Sequence, residues 1–93
     1  IIGRMKVVWD EAKRRANLRK HGLDLADAEH VLAGITYTIE DRRFGYGERR
    51  FVTLGMLRDT VVVMAHTETP ATFRVISMRK ATRNEQILYF QNI

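Results

Sequence analysis

The spacing of apolar residues changes character at Gly34–Ile35, and that change calls for a fold in which helices pack against a sheet. Upstream, Leu25, Ala28, Val31 and Leu32 recur at the interval of a helix face. Downstream, Ile35, Tyr37 and Ile39 alternate with Thr36, Thr38 and Glu40, the period of a strand with one buried face. A chain of 93 residues has room for one core, so both halves belong to a single domain spanning 1–93. An apolar fraction of 45% suits a shallow surface site better than a deep cofactor cleft. Met5 reads as a natural start, with Ile1–Arg4 either a remnant of expression or an upstream extension.

The remaining elements follow from local signals. Met5–Trp9 is expected to form a short strand. Asp10 can cap a helix running to about Lys20, with Glu11 at its positive end and Gly22 as its stop. Ala12 and Ala16 mark that helix's inner face. Asp24 caps a second helix that ends at Gly34. Asp41–Glu48 reads as a loop, followed by strands over Phe51–Met56, Thr60–Glu68 and Thr72–Lys80. Val61–Ala65 is apolar on both faces, which makes its strand central. Thr82-Arg83-Asn84-Glu85 fits a capping box opening a last helix, with Ile87, Leu88 and Phe90 as its apolar side. Short turns between successive strands imply an antiparallel meander. The expected class is α+β: an antiparallel sheet of about four main strands plus a short N-terminal strand, two N-terminal helices and one C-terminal helix, the helices packed on one face.

Composition narrows the chemistry. The chain has no cysteine, which excludes disulfides and thiolate chemistry and suits a reducing cytoplasm. No apolar run approaches the roughly 20 residues of a membrane helix, so no membrane partner is expected. Sixteen Lys and Arg against eleven Asp and Glu give a net charge of +5, pointing to a polyanionic partner, nucleic acid or an acidic protein. Gly45-Tyr46-Gly47 lacks the helix and lysine of a phosphate-binding loop. His21, His30 and His66 fall on different elements, so neither a metal site nor a cofactor is expected.

Five candidates remain. Arg74-Val-Ile-Ser-Met-Arg-Lys80 is dense in cations on a strand. Alternation puts Arg74, Ile76, Met78 and Lys80 on one face and Phe73, Val75, Ser77 and Arg79 on the other. All can face one site only if the strand twists, bulges or ends near Arg79. The competing explanation is an edge strand whose charges deter aggregation. His66 and Glu68 share a face and form an acid–base pair or an ordinary ion pair. His21 follows Lys20 at a helix C-terminus, where the dipole favours its charged form or where it simply caps. The basic stretch Lys13–Lys20 can follow a phosphate backbone or remain a solvated face. Tyr89 is either a platform for an unpaired base or a core residue.

Taken together these segments resemble the BrnT toxin family. The resemblance rests on Trp9-Asp-Glu-Ala-Lys13, Asn17-Leu-Arg-Lys-His-Gly22, Arg49-Arg-Phe51 with Gly55, His66-Thr-Glu68, and Arg74–Thr82. It covers about Val7 to Tyr89, with Met78 standing where Ala is usual. It implies a RelE-like ribonuclease that is the toxin half of a bacterial type II toxin–antitoxin pair. It also implies a BrnA-like antitoxin with a ribbon-helix-helix part, through which alone the toxin would meet operator DNA. On this basis RNA is expected to be cleaved without metal by its own 2′-hydroxyl, with mRNA, free or ribosome-associated, as the target. His66, Glu68, Arg74, Arg79 and Lys80 are the expected catalytic set, and Lys20, His21, Ser77, Arg50 and Tyr89 the expected RNA contacts. The alternative is a basic module that binds nucleic acid or protein without cutting.

Overall fold

The computed structural model describes residues 5–43, 45 and 47–93. The expectations for Ile1–Arg4, and for Phe44 and Tyr46 within the loop, lie outside those residues. Strand β1 (Lys6–Trp9) runs into Asp10, whose carboxylate accepts from the Lys13 amide at 3.0 Å and starts α1 (Glu11–His21). Gly22 ends α1 at φ 70°, a left-handed conformation that side chains resist. Asp24 caps a single 3₁₀ turn (Leu25–Asp27) that leads into α2, only Ala28–Leu32. Arg14 clamps Asp24 with two bonds of 2.8 and 2.9 Å, tying α1 to this turn. There follow β2 (Thr36–Asp41), β3 (Arg50–Leu57), β4 (Thr60–Glu68), β5 (Thr72–Lys80) and α3 (Arg83–Gln91). The capping box forms in full: Thr82 Oγ1 accepts from the Glu85 amide, and Glu85 Oε1 accepts from the Thr82 amide at 2.8 Å.

The sheet order is β1-β5-β4-β3-β2. Strands β2 to β5 form the expected antiparallel meander. Strand β1, however, joins β5 in parallel, from Lys6↔Thr72 to Trp9↔Val75, so the five-stranded sheet is mixed rather than antiparallel. The two strands are separated by α1 and the whole meander, so no hairpin imposes antiparallel pairing on them. The expectation that every helix packs on one face is also corrected. Leu25, Ala28 and Val31 pack with Val62, Met64, Phe73, Val75 and Met78 on one side. Tyr89 of α3 packs with Leu54, Val61 and Val63 on the other. The two-sided apolar run that made β4 central is thus covered twice.

Two helix faces also differ from expectation. Ala12 and Ala16 are exposed, and α1 instead buries Asn17. Pairing of β1 with β5 stops at Val75. Beyond it the Asn17 amide donates to the Met78 carbonyl at 2.8 Å and accepts from the Met78 amide at 3.1 Å, standing in for the missing strand. On α3, Ile87, Leu88 and Phe90 are exposed, while Tyr89 is buried and donates its hydroxyl to the Ile35 carbonyl at 2.8 Å. At Gly55 an added Cβ would lie 2.6 Å from Val31, so the missing side chain lets α2 settle onto β3. No helix among the described residues is long and apolar enough to cross a membrane.

Candidate active site

The cation-rich strand β5 carries a bulge. Ala65 pairs with Ser77, but the next residue of β4, His66, pairs with Val75, leaving Ile76 as the extra residue. An inserted residue reverses the alternation downstream of it. Thr67, Ala65 and Val63 share one face of β4, and their partners Arg74, Ser77 and Arg79 therefore share it too. Lys80 pairs with Val62 and falls on the opposite, helix-bearing side with Phe73, Val75 and Met78. Simple alternation had separated Arg74 from Arg79 and joined it to Lys80. The bulge undoes both assignments.

The face carrying Arg74, Ser77 and Arg79 is the one on which α3 lies. Beside the first turn of α3 is a groove of about 500 Å³, whose lining includes Ile39, Arg50, Ala65, Ser77, Arg79 and Glu85. Arg50 pairs with Thr67, which pairs with Arg74, so the two arginines flank one residue of the central strand. Their backbones are thus roughly 10 Å apart. Arg79 meets Glu85 through two parallel bonds of 2.7 and 2.8 Å. This pairing holds the Glu85 carboxyl down at about 2 and pushes the Arg79 guanidinium up. Across the groove, Arg42 and Arg43 of the loop also line the wall. Glu40 accepts from Arg49 and Arg42, which hold its carboxyl at about 2. Asp41 accepts from Arg43 at 2.9 and 3.0 Å.

His66 lies on the other side of the sheet and is 0% exposed. Its ring stacks between Phe73, with centroids 3.9 Å apart, and Phe51, at 5.8 Å. Its Nε2 is 2.7 Å from Thr53 Oγ1, which is in turn 2.6 Å from Thr38 Oγ1. Its Nδ1 has no hydrogen-bond partner among the described residues, and the nearest Glu68 oxygen is at 3.5 Å. Burial pushes the imidazole down to about 4, so it is neutral at physiological pH.

The expected residues therefore divide. Arg50, Arg74, Ser77 and Arg79 come together on the α3 side. His66, Glu68 and Lys80 belong to the helix-bearing side. Lys20 and His21 end α1, which meets β5 at the edge beyond β1 through the Asn17–Met78 bonds and so stands apart from the groove beside α3. Tyr89 is core, 2% exposed. The sequence expectation missed Glu85 as a groove residue, because its place in the capping box already explained it. Ile39, Arg42 and Arg43 were likewise passed over as strand and loop.

A family model described as the ribonuclease toxin, BrnT, of type II toxin–antitoxin systems matches residues 9–85. The match extends from the last residue of β1 to the carboxylate that holds Arg79. Comparison with curated proteins finds no match.

Proposed function

The chain belongs to the BrnT family of ribonuclease toxins of type II toxin–antitoxin systems, and from that premise we propose that it cuts RNA internally in the groove beside α3. The ribose 2′-oxygen attacks the adjacent phosphorus, a 2′,3′-cyclic phosphate forms, and the 5′-oxygen leaves. Guanidinium groups suit the charge that builds on the phosphate oxygens, so the reaction needs no metal ion. Arg79 supplies that charge at the reacting phosphate, Ser77 donates to a phosphate oxygen, and Arg74 and Arg50 hold the flanking backbone. Cleavage of mRNA then halts translation. An antitoxin with a ribbon-helix-helix part neutralises the protein and carries it to operator DNA.

The observation that supports this reading most is the β5 bulge, which turns Arg74, Ser77 and Arg79 to one face beside Arg50. We assign His66 to the fold rather than to proton transfer, because it is enclosed between aromatic rings on the far side of the sheet. Lys80 and Glu68, on that same side, and Lys20 and His21, at the end of α1, are assigned no part in the chemistry.

The test is cleavage of a defined RNA by purified protein, with and without EDTA, followed by analysis of product ends. Cyclic phosphate ends in both conditions are expected, and Arg79→Ala should lower kcat by about 10²–10³-fold. Abolition by EDTA would remove the metal-free mechanism. Full activity of Arg79→Ala would remove the groove. Intact RNA with a gel shift would leave a binding module.

A further inference from the structure

We propose that Glu85 is the general base that takes the proton from the RNA 2′-hydroxyl. This rests on the reading of the groove as a ribonuclease site and names the residue that the reading lacks.

The geometry of the carboxylate carries the case. Glu85 lines the groove together with Ser77 and Arg79. Its Oε1 accepts from Arg79 at 2.7 Å and from the Thr82 amide at 2.8 Å, whereas its Oε2, among the described residues, accepts from Arg79 alone at 2.8 Å. A carboxylate oxygen can accept two donors, so Oε2 keeps a lone pair for a substrate hydroxyl. The group cannot wander, because the capping box fixes its backbone and the guanidinium fork fixes its plane. Both partners remain reachable, with side chains 41% exposed for Arg79 and 27% for Glu85. The other groove carboxylates, Glu40 and Asp41, stand on β2. Strands β3 and β4 intervene, so the backbone of β2 runs roughly 15 Å from that of β5, whereas Glu85 is bonded to Arg79 directly.

At neutral pH the carboxyl is ionised and able to accept a proton. Its full pairing with Arg79 by itself makes it a weak base. A phosphate arriving at Arg79 competes for the same guanidinium and brings negative charge beside the carboxylate. Both effects raise its proton affinity, so the base strengthens when substrate is bound. In the step itself, Oε2 takes the 2′-hydroxyl proton as the O2′–P bond forms. The P–O5′ bond breaks, O5′ keeps the electron pair and takes a proton from water in the open groove, and Glu85 returns its proton to solvent.

The discriminating variant is Glu85→Gln. Glutamine serves in a capping box as glutamate does but cannot take the proton. We expect kcat to fall by about 10²–10⁴-fold at pH 7.5 with KM changed little. Thr82→Ala, which weakens the cap and leaves the carboxylate, should stay within a few-fold of wild type. Equal losses in the two variants would mean that Glu85 acts through the helix start, and would overturn the assignment. Wild-type activity in Glu85→Gln would also overturn it, while leaving the ribonuclease reading intact. A wild-type protein that leaves RNA uncut would defeat the ribonuclease reading, and this inference with it. If Glu85→Gln yields no folded protein, Glu85→Asp sets the carboxylate back by about an ångström. It should cost up to ~10²-fold in kcat, and full activity there would sink the proposal.

Discussion

The two faces of the sheet receive similar residues from the same strands and do opposite things with them. On the helix-bearing face, His66 is sealed between Phe51 and Phe73 and kept neutral. On the α3 face, Arg79 and Glu85 are half-exposed, paired and both charged. Burial without a countercharge suppresses ionisation, and a fitted ion pair sustains it. An imidazole looks the better catalyst from its ordinary pKa alone. The enclosure it sits in keeps it neutral and apart from the groove beside α3.

The largest consequence of this contrast is a pH dependence of stability. Unfolded, His66 titrates near 6.5, and folded, near 4. Between those values the unfolded chain holds more protons, so acid favours unfolding. Stability should be level with respect to this group above about 6.5, and fall by up to roughly 3 kcal/mol as the pH drops to 4. Glu85 and Glu40, both held near 2 against an ordinary 4.5, act the same way at lower pH, their stabilisation being lost as the pH falls below 4.5 towards 2. Urea melts of wild type and His66→Gln between pH 7.5 and 4.5 isolate the effect. The variant should lose the dependence yet cleave RNA at pH 7.5 within a few-fold of wild type. A variant that is stable but inactive would dissolve the distinction between the faces.

Next in size is Asn17→Ala. It removes the partner of both the amide and the carbonyl of Met78, which lie where β1 no longer covers β5. Stranding buried backbone groups should cost about 2 kcal/mol in a urea melt, with activity per folded molecule unchanged. A loss under about 0.5 kcal/mol would show that water or a neighbouring strand replaces the amide.

The elements were legible because each has a local cause: Asp10, Asp24 and Thr82 cap, Gly22 stops, and alternation marks the strands. The partnership of β1 with β5 was not, since parallel pairing across most of the chain leaves no local trace. The bulge was equally silent. Nothing in Val75-Ile76-Ser77 announces an inserted residue, which exists only relative to β4. Asn17 was overlooked for the same reason, as its partner is sixty-one positions away. Simple alternation therefore divided the β5 residues between the faces differently from the bulged strand. Glu85, fully accounted for by the capping box, hid a second position in the groove.

The smallest effect gives the most direct comparison of the faces. Arg74→Ala and Lys80→Ala each remove one positive charge from an exposed end of the same strand, on opposite sides of the sheet. With a single-stranded oligonucleotide that lacks the attacking 2′-hydroxyl, binding can be followed without cleavage. Each phosphate contact contributes about 0.7 to the slope of log K against log salt concentration. Arg74→Ala should lower that slope by about this amount and weaken binding several-fold, whereas Lys80→Ala should leave the slope unaltered. Equal drops would mean that the loss is one of net charge rather than of contact. A larger drop for Lys80→Ala would move the RNA to the helix-bearing face, and Lys20 and His21 at the end of α1 would become the next residues to replace.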